Sequence, residues 1–190
     1  MIMCGKYHVT TEDENLSFRE AVQQLMLEHP EITIQLGEVV PSLIAPVYTK
    51  NGLAPMRFGH KPAFMKRLLI NARSEIAATS PMFGPLLRQQ RILVPARGFY
   101  EWSQEKKPSL FAREGGGMLH MAGLVFPARP VPGFVILTRD ATGNPGRVHP
   151  RMPVMFASPE LQDAWLHQDS LAESLLQLPD EEGYLDLLAG

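Results

Sequence analysis

A single cysteine near the start of the chain is the first candidate nucleophile. Cys4 is the only cysteine among 190 residues, so it cannot form a disulfide within the chain. A cysteine that is the terminal residue carries an α-amine and a thiol two carbons apart. The amine can attack an aldehyde to form an imine, and the thiol can then close a five-membered ring on the same carbon. An inert, buried thiol is the alternative interpretation of Cys4.

Polar side chains alternate in a second candidate segment, residues 69–75. Asn71, Arg73 and Glu75 occupy every other position, so an extended chain would place all three on one face. Asn71 would then hold an aldehyde oxygen or a sugar hydroxyl, while Arg73 would bind a phosphate and Glu75 would orient Arg73. An ordinary solvent-exposed strand edge is the alternative for this segment.

A carboxylate lies inside an aromatic run at residues 96–102. If the run is extended, Glu101 shares one strand face with Phe99, and Tyr100 shares the other face with Trp102. Removal from water favours the neutral form of a carboxyl group, which suits a general acid near neutral pH. Glu101 is therefore a candidate proton donor, with a buried structural carboxylate as the alternative.

An imidazole and two guanidinium groups are set between prolines in residues 147–153. Pro150 and Pro153 restrict the backbone there, which favours a fixed presentation of His149 and Arg151. Histidine can move protons at physiological pH, so His149 is a candidate acid or base. A surface turn with incidental charge is the alternative.

Many strands and a few helices must position these groups. The hydrophobic spacing of Phe18, Val22 and Leu25 predicts a first helix that begins near Ser17 and ends at Pro30. Strands are predicted at residues 91–96, 98–102, 109–113, 118–125, 133–138 and 153–156. This pattern predicts a single α+β domain that spans residues 1–190.

Turn and cap residues complete the outline. Residues 32–48 are predicted to form edge strands interrupted at Pro41 and Pro46, and residues 115–117 are predicted to form a hairpin loop. Two closing helices are predicted from their N-terminal signals, which are Ser158-Pro159 and a capping box of Ser170 and Glu173.

Charge is distributed unevenly along the chain. The totals nearly cancel, with 18 Lys and Arg against 20 Asp and Glu, but residues 57–113 hold 11 basic and 3 acidic side chains. The segments on either side are both acidic. This distribution predicts a local anion-binding groove in the middle segment rather than a surface that coats nucleic acid through net charge. A basic, solvated face without a ligand is the alternative.

Composition disfavours several classes of protein. The six histidines and one cysteine lack the spacing of metal motifs, so we expect no metal, and no motif indicates a cofactor. No stretch is long and apolar enough to span a bilayer, and Lys6 interrupts any signal peptide. We therefore expect a soluble, cytoplasmic monomer that has no membrane partner.

Four motifs in order resemble one known family. Met-Cys-Gly, Asn-Ala-Arg-Ser-Glu, Gly-Phe-Tyr-Glu-Trp and His-Pro-Arg-Met-Pro-Val are similar in order and spacing to the SOS response-associated peptidase (SRAP) family, over residues 3–156. The resemblance implies a strand-rich, mixed or antiparallel, barrel-like sheet with flanking helices. It also implies action in the DNA damage response, on abasic sites in single-stranded DNA. There Cys4 would form a thiazolidine crosslink with the ring-opened deoxyribose aldehyde.

The same resemblance assigns roles to the candidate residues. It implies that Asn71 is a polar positioning residue and that Glu101 and His149 transfer protons when the crosslink forms or reverses. Arg73 and Arg151 are implied as phosphate ligands. Two DNA contacts complete the set, Pro46 in a loop beside the bases and Phe64 as the aromatic residue that stacks on a base.

The first residues of the chain bear on the chemistry of Cys4. Met1-Ile2 precede Met3-Cys4, so a free amine on Cys4 requires either a start at Met3 or self-cleavage, as the name of the family implies. A thiol peptidase that uses Cys4 with His149 is one competing function. A noncatalytic module that binds single-stranded DNA is the other.

Overall fold

The computed structural model of the chain describes residues 5–11, 16–180 and 182–189, which form strands and helices in mixed order. The strands are β1 (Tyr7–Val9), β2 (Gly37–Val39), β3 (Ile44–Thr49), β4 (Gly52–Phe58), β5 (Asn71–Arg73), β6 (Arg91–Ala96), β7 (Gly98–Trp102), β8 (Pro108–Arg113), β9 (Leu119–Phe126), β10 (Gly133–Asp140), β11 (Arg151–Pro153) and β12 (Tyr184–Asp186). The helices are α1 (Leu16–Glu28), α2 (Ser74–Ala77), α3 (Gly84–Gln89), α4 (Gly143–Val148), α5 (Pro159–His167) and α6 (Ala172–Leu175), with a 3-10 turn at Asp169–Leu171.

One sheet closes on itself. Its strands follow the order β10, β4, β3, β6 and β9, and β9 pairs again with β10. β5 and β11 are attached to this ring through β10. A closed ring leaves few unpaired strand edges. The α+β class and the barrel-like sheet expected from the sequence are both confirmed.

β10 organises the site because each of its edges serves two strands in succession. On one edge, β4 pairs in parallel at Gly133 and Phe134, and β5 follows at Ile136–Thr138. On the other edge, β9 pairs with the first half of β10, and β11 pairs with Thr138–Asp140. β5 and β11 therefore flank the same end of β10, which brings their polar residues together.

A second sheet covers the ring and is antiparallel throughout, with strand order β12, β8, β7, β1 and β2. The first hydrophobic core joins the two sheets, since Tyr7 and Phe99 pack with Phe58 and Phe134 of the ring. The Tyr7 and Phe58 rings meet edge to face with centroids 5.5 Å apart, a favoured aromatic geometry. This core fixes β7 against the ring.

A second core lies between the ring and the C-terminal helices. Leu137 of β10 and Trp165 of α5 are both fully buried there. Arg91 of β6 crosses the same region, and its guanidinium donates to the carbonyl oxygen of Leu87 near the end of α3 and to the carboxylate of Asp169 at 2.7 Å. The buried guanidinium thus satisfies backbone groups that a helix end leaves unpaired.

Pro46 lies in a central strand, which corrects the expectation of an interrupted edge strand. β3 is flanked by β4 and β6, and Pro46 sits directly opposite Pro55. A proline cannot donate to the ladder, but facing residues of an antiparallel pair exchange hydrogen bonds only at alternate positions. Two prolines that face each other at a non-hydrogen-bonded position leave the ladder intact.

Two further expectations about the chain after residue 113 are wrong. The glycine loop at residues 115–117 joins β8 to β9, which belong to different sheets, so it is not a hairpin. Ser170 lies within the 3-10 turn, and no side chain caps α6. The Ser158 cap of α5 is confirmed, because its hydroxyl accepts from the backbone N–H of Leu161.

Shortening a buried side chain of β10 should destabilise the whole fold. We expect Leu137→Ala to lower the free energy of unfolding by about 2–5 kcal/mol, because it leaves a cavity in the second core. Leu188→Ala, at a half-exposed leucine, is the control and should change it by less than about 0.5 kcal/mol. Urea denaturation measures both values, and equal effects would contradict the central position of β10.

Candidate active site and nucleic-acid interface

Glu101 and His149 form a buried pair between the two sheets. Glu101 lies on β7 with its side chain 1% exposed, and His149 follows the end of α4 with its side chain 4% exposed. The Nδ1 atom of His149 is 3.8 Å from Oε2 of Glu101. The sequence placed these residues in separate motifs, and the packing of β7 against the ring brings them together.

The backbone after His149 holds its imidazole ring in place. Nδ1 of His149 lies 3.1 Å from both the backbone nitrogen and the carbonyl oxygen of Arg151. It accepts from the backbone N–H in one tautomer and donates to the carbonyl oxygen in the other, so the ring has a backbone partner in either tautomer. Pro150 between the two residues restricts this turn. These contacts set the position of the ring beside Glu101.

Arg151 is held by several acceptors on neighbouring elements. Its guanidinium donates two parallel hydrogen bonds to Glu75, from Nη1 at 2.6 Å and from Nη2 at 2.8 Å. Nη1 also donates to Asp140 at 2.6 Å, and Nη2 donates to the carbonyl oxygen of Thr138 at 2.7 Å. Fork geometry of this kind is the strongest arginine–carboxylate arrangement. These contacts tie β11 to β10 and α2.

The charges of this cluster affect both partners. The hydrogen bond from Arg151 is the main cause that holds the pKa of Glu75 below its ordinary value, against a smaller opposing effect of burial. Burial alone would lower the pKa of Arg151, but the hydrogen bonds that it donates to Glu75 and Asp140 together raise it above its ordinary value. Both groups are therefore charged near neutral pH.

The alternating strand expected at residues 69–75 is shorter in the structure. β5 ends at Arg73, and Glu75 lies in the first turn of α2. The prediction that Glu75 shares a strand face with Asn71 and orients Arg73 is therefore wrong. Glu75 instead contacts Arg151, because the helix that begins at Ser74 turns its side chain away from the strand direction.

Asn71 and Arg73 lie beside β10 at the same end of the ring. Asn71 is half-buried, and its Nδ2 is 3.5 Å from the carbonyl oxygen of Ile136. Arg73 pairs in register with Thr138 and is exposed. Within the part of the chain that the structure describes, its guanidinium makes no ion pair. Arg73 is thus an accessible cation next to the Arg151 cluster.

The start of the chain runs alongside β7. β1 pairs antiparallel with β7, with Tyr7 opposite Phe99, and the backbone N–H of Tyr100 donates to the carbonyl oxygen of Lys6 at 2.9 Å. The ammonium of Lys6 also lies 4.4 Å from the centre of the Tyr100 ring. Gly5 precedes this anchored residue. Cys4 lies outside the described residues, so its expected role stays a prediction.

Phe64 lies in the loop between β4 and β5 and is 78% exposed. It borders a cleft of about 650 Å³ together with His60, Met82 and Phe126. The His60 and Phe126 rings stack with centroids 4.2 Å apart and an interplanar angle of 2°. Sequence reasoning found Phe64 but missed His60 and Phe126, since they come together only through the fold.

Pro46 does not share this exposure. It is buried on β3, and a wedge between bases needs a side chain that the bases can reach. The expected contact between Pro46 and DNA bases is therefore not supported by its position.

Two features are absent from the described residues, a metal-holding cluster and a membrane-spanning helix. Among residues 5–11, 16–180 and 182–189, no three His, Cys, Asp or Glu side chains cluster in a way that could hold a metal ion. No helix in these ranges is long and apolar enough to cross a membrane.

Comparison with known families bears directly on these motifs. The sequence profile described as SOS response associated peptidase (SRAP) matches residues 3–186, which is nearly the whole chain. The chain belongs to the SRAP family. The resemblance carried by the four motifs is thereby confirmed.

Several named proteins are similar to this SRAP chain. The abasic site processing protein YedK of Escherichia coli K12 is 31% identical over 181 residues, which cover 88% of this chain and 81% of that protein. The abasic site processing protein YobE of Bacillus subtilis 168 is 27% identical over 192 residues, 92% of this chain and 87% of that protein. A crystal structure of a phage-related protein from Bordetella bronchiseptica superposes with a TM-score of 0.73 and 24% identity, and covers 97% of this chain and 94% of that one.

The Glu75–Arg151 contact should make the stability of this SRAP chain depend on pH. Because the folded-state pKa of Glu75 is lowered, its contribution is present above its unfolded pKa and is lost as pH falls through the folded pKa. We expect Glu75→Gln to lower the melting temperature at neutral pH by up to about 2–4 °C, since partly exposed pairs contribute up to about 1 kcal/mol.

The difference between Glu75→Gln and the unmodified chain should shrink as pH falls through the lowered folded-state pKa of Glu75, because the protonated carboxyl group loses its ionic contact with Arg151. Glu105→Gln removes a carboxylate from an exposed pair with Lys107 and is the matched control. Thermal melting across this pH range measures both variants. A pH-independent effect of Glu75→Gln would contradict the ionic contribution.

Proposed function

We propose that this chain captures abasic sites in single-stranded DNA through a covalent thiazolidine crosslink to Cys4. The observation that carries the proposal is the anchoring of the start of β1 beside the buried Glu101–His149 pair. The names of the similar proteins from Escherichia coli and Bacillus subtilis, which describe abasic site processing, support the same substrate.

The antiparallel register brings the start of the chain close to the buried pair. Tyr7 lies opposite Phe99, and the hydrogen bond from Tyr100 to Lys6 extends that register by one residue. This pairing runs the described start of the chain, at Gly5 and Lys6, toward the part of β7 that carries Glu101.

The proposed reaction forms two bonds to one carbon. The α-amine of Cys4 attacks the aldehyde carbon of the ring-opened deoxyribose, and the carbonyl oxygen leaves as water after protonation, which gives an imine. The thiol sulfur then adds to the imine carbon while its proton moves to the imine nitrogen. The net result is one thiazolidine ring and one molecule of water.

Glu101 and His149 supply the proton transfers in this scheme. One proton must reach the departing oxygen, and the amine must lose protons as the imine forms. A buried carboxyl group beside an imidazole can shuttle protons without exchange with bulk water. We assign His149 a share in these transfers, because its Nδ1 lies 3.8 Å from Oε2 of Glu101.

The remaining groups bind the DNA strand around the reacting carbon. Asn71 is a candidate to hold a sugar hydroxyl or the aldehyde oxygen, and exposed Arg73 is a candidate phosphate ligand. Phe64 lies in a loop whose Lys61, Lys66 and Arg67 are all exposed. Aromatic side chains among basic residues favour unpaired bases, because stacking needs an open base face.

A free amine on Cys4 is the central requirement. We expect a form that begins at Cys4 to crosslink a single-stranded oligonucleotide with one abasic site, and a form that retains Met1-Ile2-Met3 not to do so. Only the first form has amine and thiol on adjacent carbons. A DNA-bound band on a denaturing gel and intact-protein mass spectrometry measure the product.

Cys4→Ser is the matched control for the thiol. Its amine should still form an imine that borohydride traps, but no adduct should survive without reductant, since ring closure needs sulfur. Equal crosslinking by a verified uncut form, or a stable Cys4→Ser adduct without reductant, would refute the mechanism.

Loss of the transferable proton at Glu101 should slow the reaction without loss of the fold. Glu101→Gln keeps nearly the same shape, and we expect the single-turnover crosslinking rate to fall by about 10²–10⁴-fold, the usual contribution of a general acid. DNA affinity should change little. Glu105→Gln, at an exposed position of the following loop, should leave the rate unchanged.

Melting temperatures separate catalysis from structure in this experiment. If Glu101 serves only as a buried acceptor, Glu101→Gln should melt at a lower temperature and crosslink at the normal rate. That outcome would remove Glu101 from the mechanism and leave His149 as the proton donor.

A further inference from the structure

The side chain of Arg151 has no nitrogen that is both accessible and unused. Both terminal nitrogens donate within the protein, two of their bonds to Glu75, one to Asp140 and one to the carbonyl oxygen of Thr138. The remaining Nε–H is buried, and no acceptor for it lies among the described residues. A phosphate that binds Arg151 must therefore replace one of these partners.

The local charge also opposes a phosphate in the free protein. Two carboxylates surround one guanidinium, so the cluster of Glu75, Asp140 and Arg151 carries a net charge of −1. A phosphate that approaches meets this negative charge before it can meet the cation. Binding at Arg151 becomes favourable only when a carboxylate moves away.

Asp140 is the partner that can leave at the lower cost. It contacts Arg151 through one hydrogen bond, and its side chain is 89% exposed. Glu75 makes two parallel bonds, and its side chain is 45% exposed. A carboxylate that is already largely hydrated regains water readily, whereas loss of the fork to Glu75 would break two charge-assisted bonds.

We propose that Asp140 is a resident anion that a phosphate of single-stranded DNA displaces from Arg151 when the strand binds. This inference rests on the proposed function, because it needs single-stranded DNA as the ligand. Glu75 stays in place and keeps the guanidinium oriented. Asp140 thus sets how strongly the strand binds, although it does not contact the reacting carbon.

The sheet explains why a strand displaces Asp140 when a free anion does not. Arg73 on β5 and Arg151 on β11 lie on opposite sides of β10, Arg73 opposite Thr138 and Arg151 opposite Asp140. Neighbouring strands are about 4.8 Å apart, so the two backbones lie about 10 Å apart across the sheet and are offset by two residues along it. A phosphate held at exposed Arg73 brings the next phosphates of the same strand near Arg151 at high effective concentration.

Removal of the resident anion should strengthen DNA binding. We expect Asp140→Asn to bind an unmodified 20-nucleotide single strand about three- to tenfold more tightly at low salt. The slope of log affinity against log salt should steepen by up to about 0.7, the value for one more phosphate neutralised on a single strand. Fluorescence anisotropy at several salt concentrations measures both quantities and does not depend on Cys4.

Asp169→Asn is the matched control. It removes one negative charge from an exposed aspartate that also contacts a buried arginine, Arg91, at 2.7 Å, but it lies by the C-terminal helices. Both variants should lose little thermal stability, and only Asp140→Asn should gain DNA affinity. Equal affinity of the two variants, or weaker binding by Asp140→Asn, would overturn the proposal.

A double-mutant cycle tests whether the gain passes through Arg151. In an Arg151→Gln background, or in Arg151→Met if the first variant melts below the assay temperature, Asp140→Asn should give no more affinity than Asp169→Asn. An undiminished gain would mean that Asp140 repels DNA only through space and would overturn the displacement. Failure of the unmodified chain to bind any single strand would instead refute the proposed function itself.

Discussion

The pairing of β10 on both edges is the constraint on which the site depends. Its first half closes the ring with β4 and β9, while its second half receives β5 and β11. Asn71 and Arg73 therefore lie along one edge of β10, and Arg151 lies along the other edge, opposite Asp140. Because a register shift of one residue turns every side chain to the opposite face, the closed ring also fixes which polar groups meet.

The buried Glu101–His149 pair depends on a second constraint, the packing of the antiparallel sheet on the ring. Taking a carboxyl group and an imidazole out of water costs free energy, which their mutual contact and their hydrogen bonds must offset. The backbone N–H of Arg151 supplies one such bond to Nδ1 of His149. A residue of β11 thus holds the ring of His149 at its distance from Glu101.

Local signals in the sequence predicted the parts of the fold that are encoded locally. The cap at Ser158 and the strands around Glu101 follow from short patterns of residue type, and the structure has them. The partner of Glu75 could not be predicted, because Arg151 is 76 residues away along the chain. Pro46 led to the wrong prediction of an edge strand, because proline usually occurs at sheet edges. Its position in a central strand is explained by Pro55, which lies directly opposite on β4.

The candidate site has a buried part, the Glu101–His149 pair, and a solvent-exposed part that includes Asp140. Arg151 contacts both parts. The proposed proton transfer needs fixed distances, which burial of Glu101 and His149 provides. The proposed contact with DNA must be reversible, which suits an exposed carboxylate such as Asp140 as the group that a phosphate replaces. The backbone of Arg151 belongs to the first part and its guanidinium to the second. Since the pairing of β11 with β10 anchors that backbone, the proposed change of partners at the guanidinium leaves His149 in place.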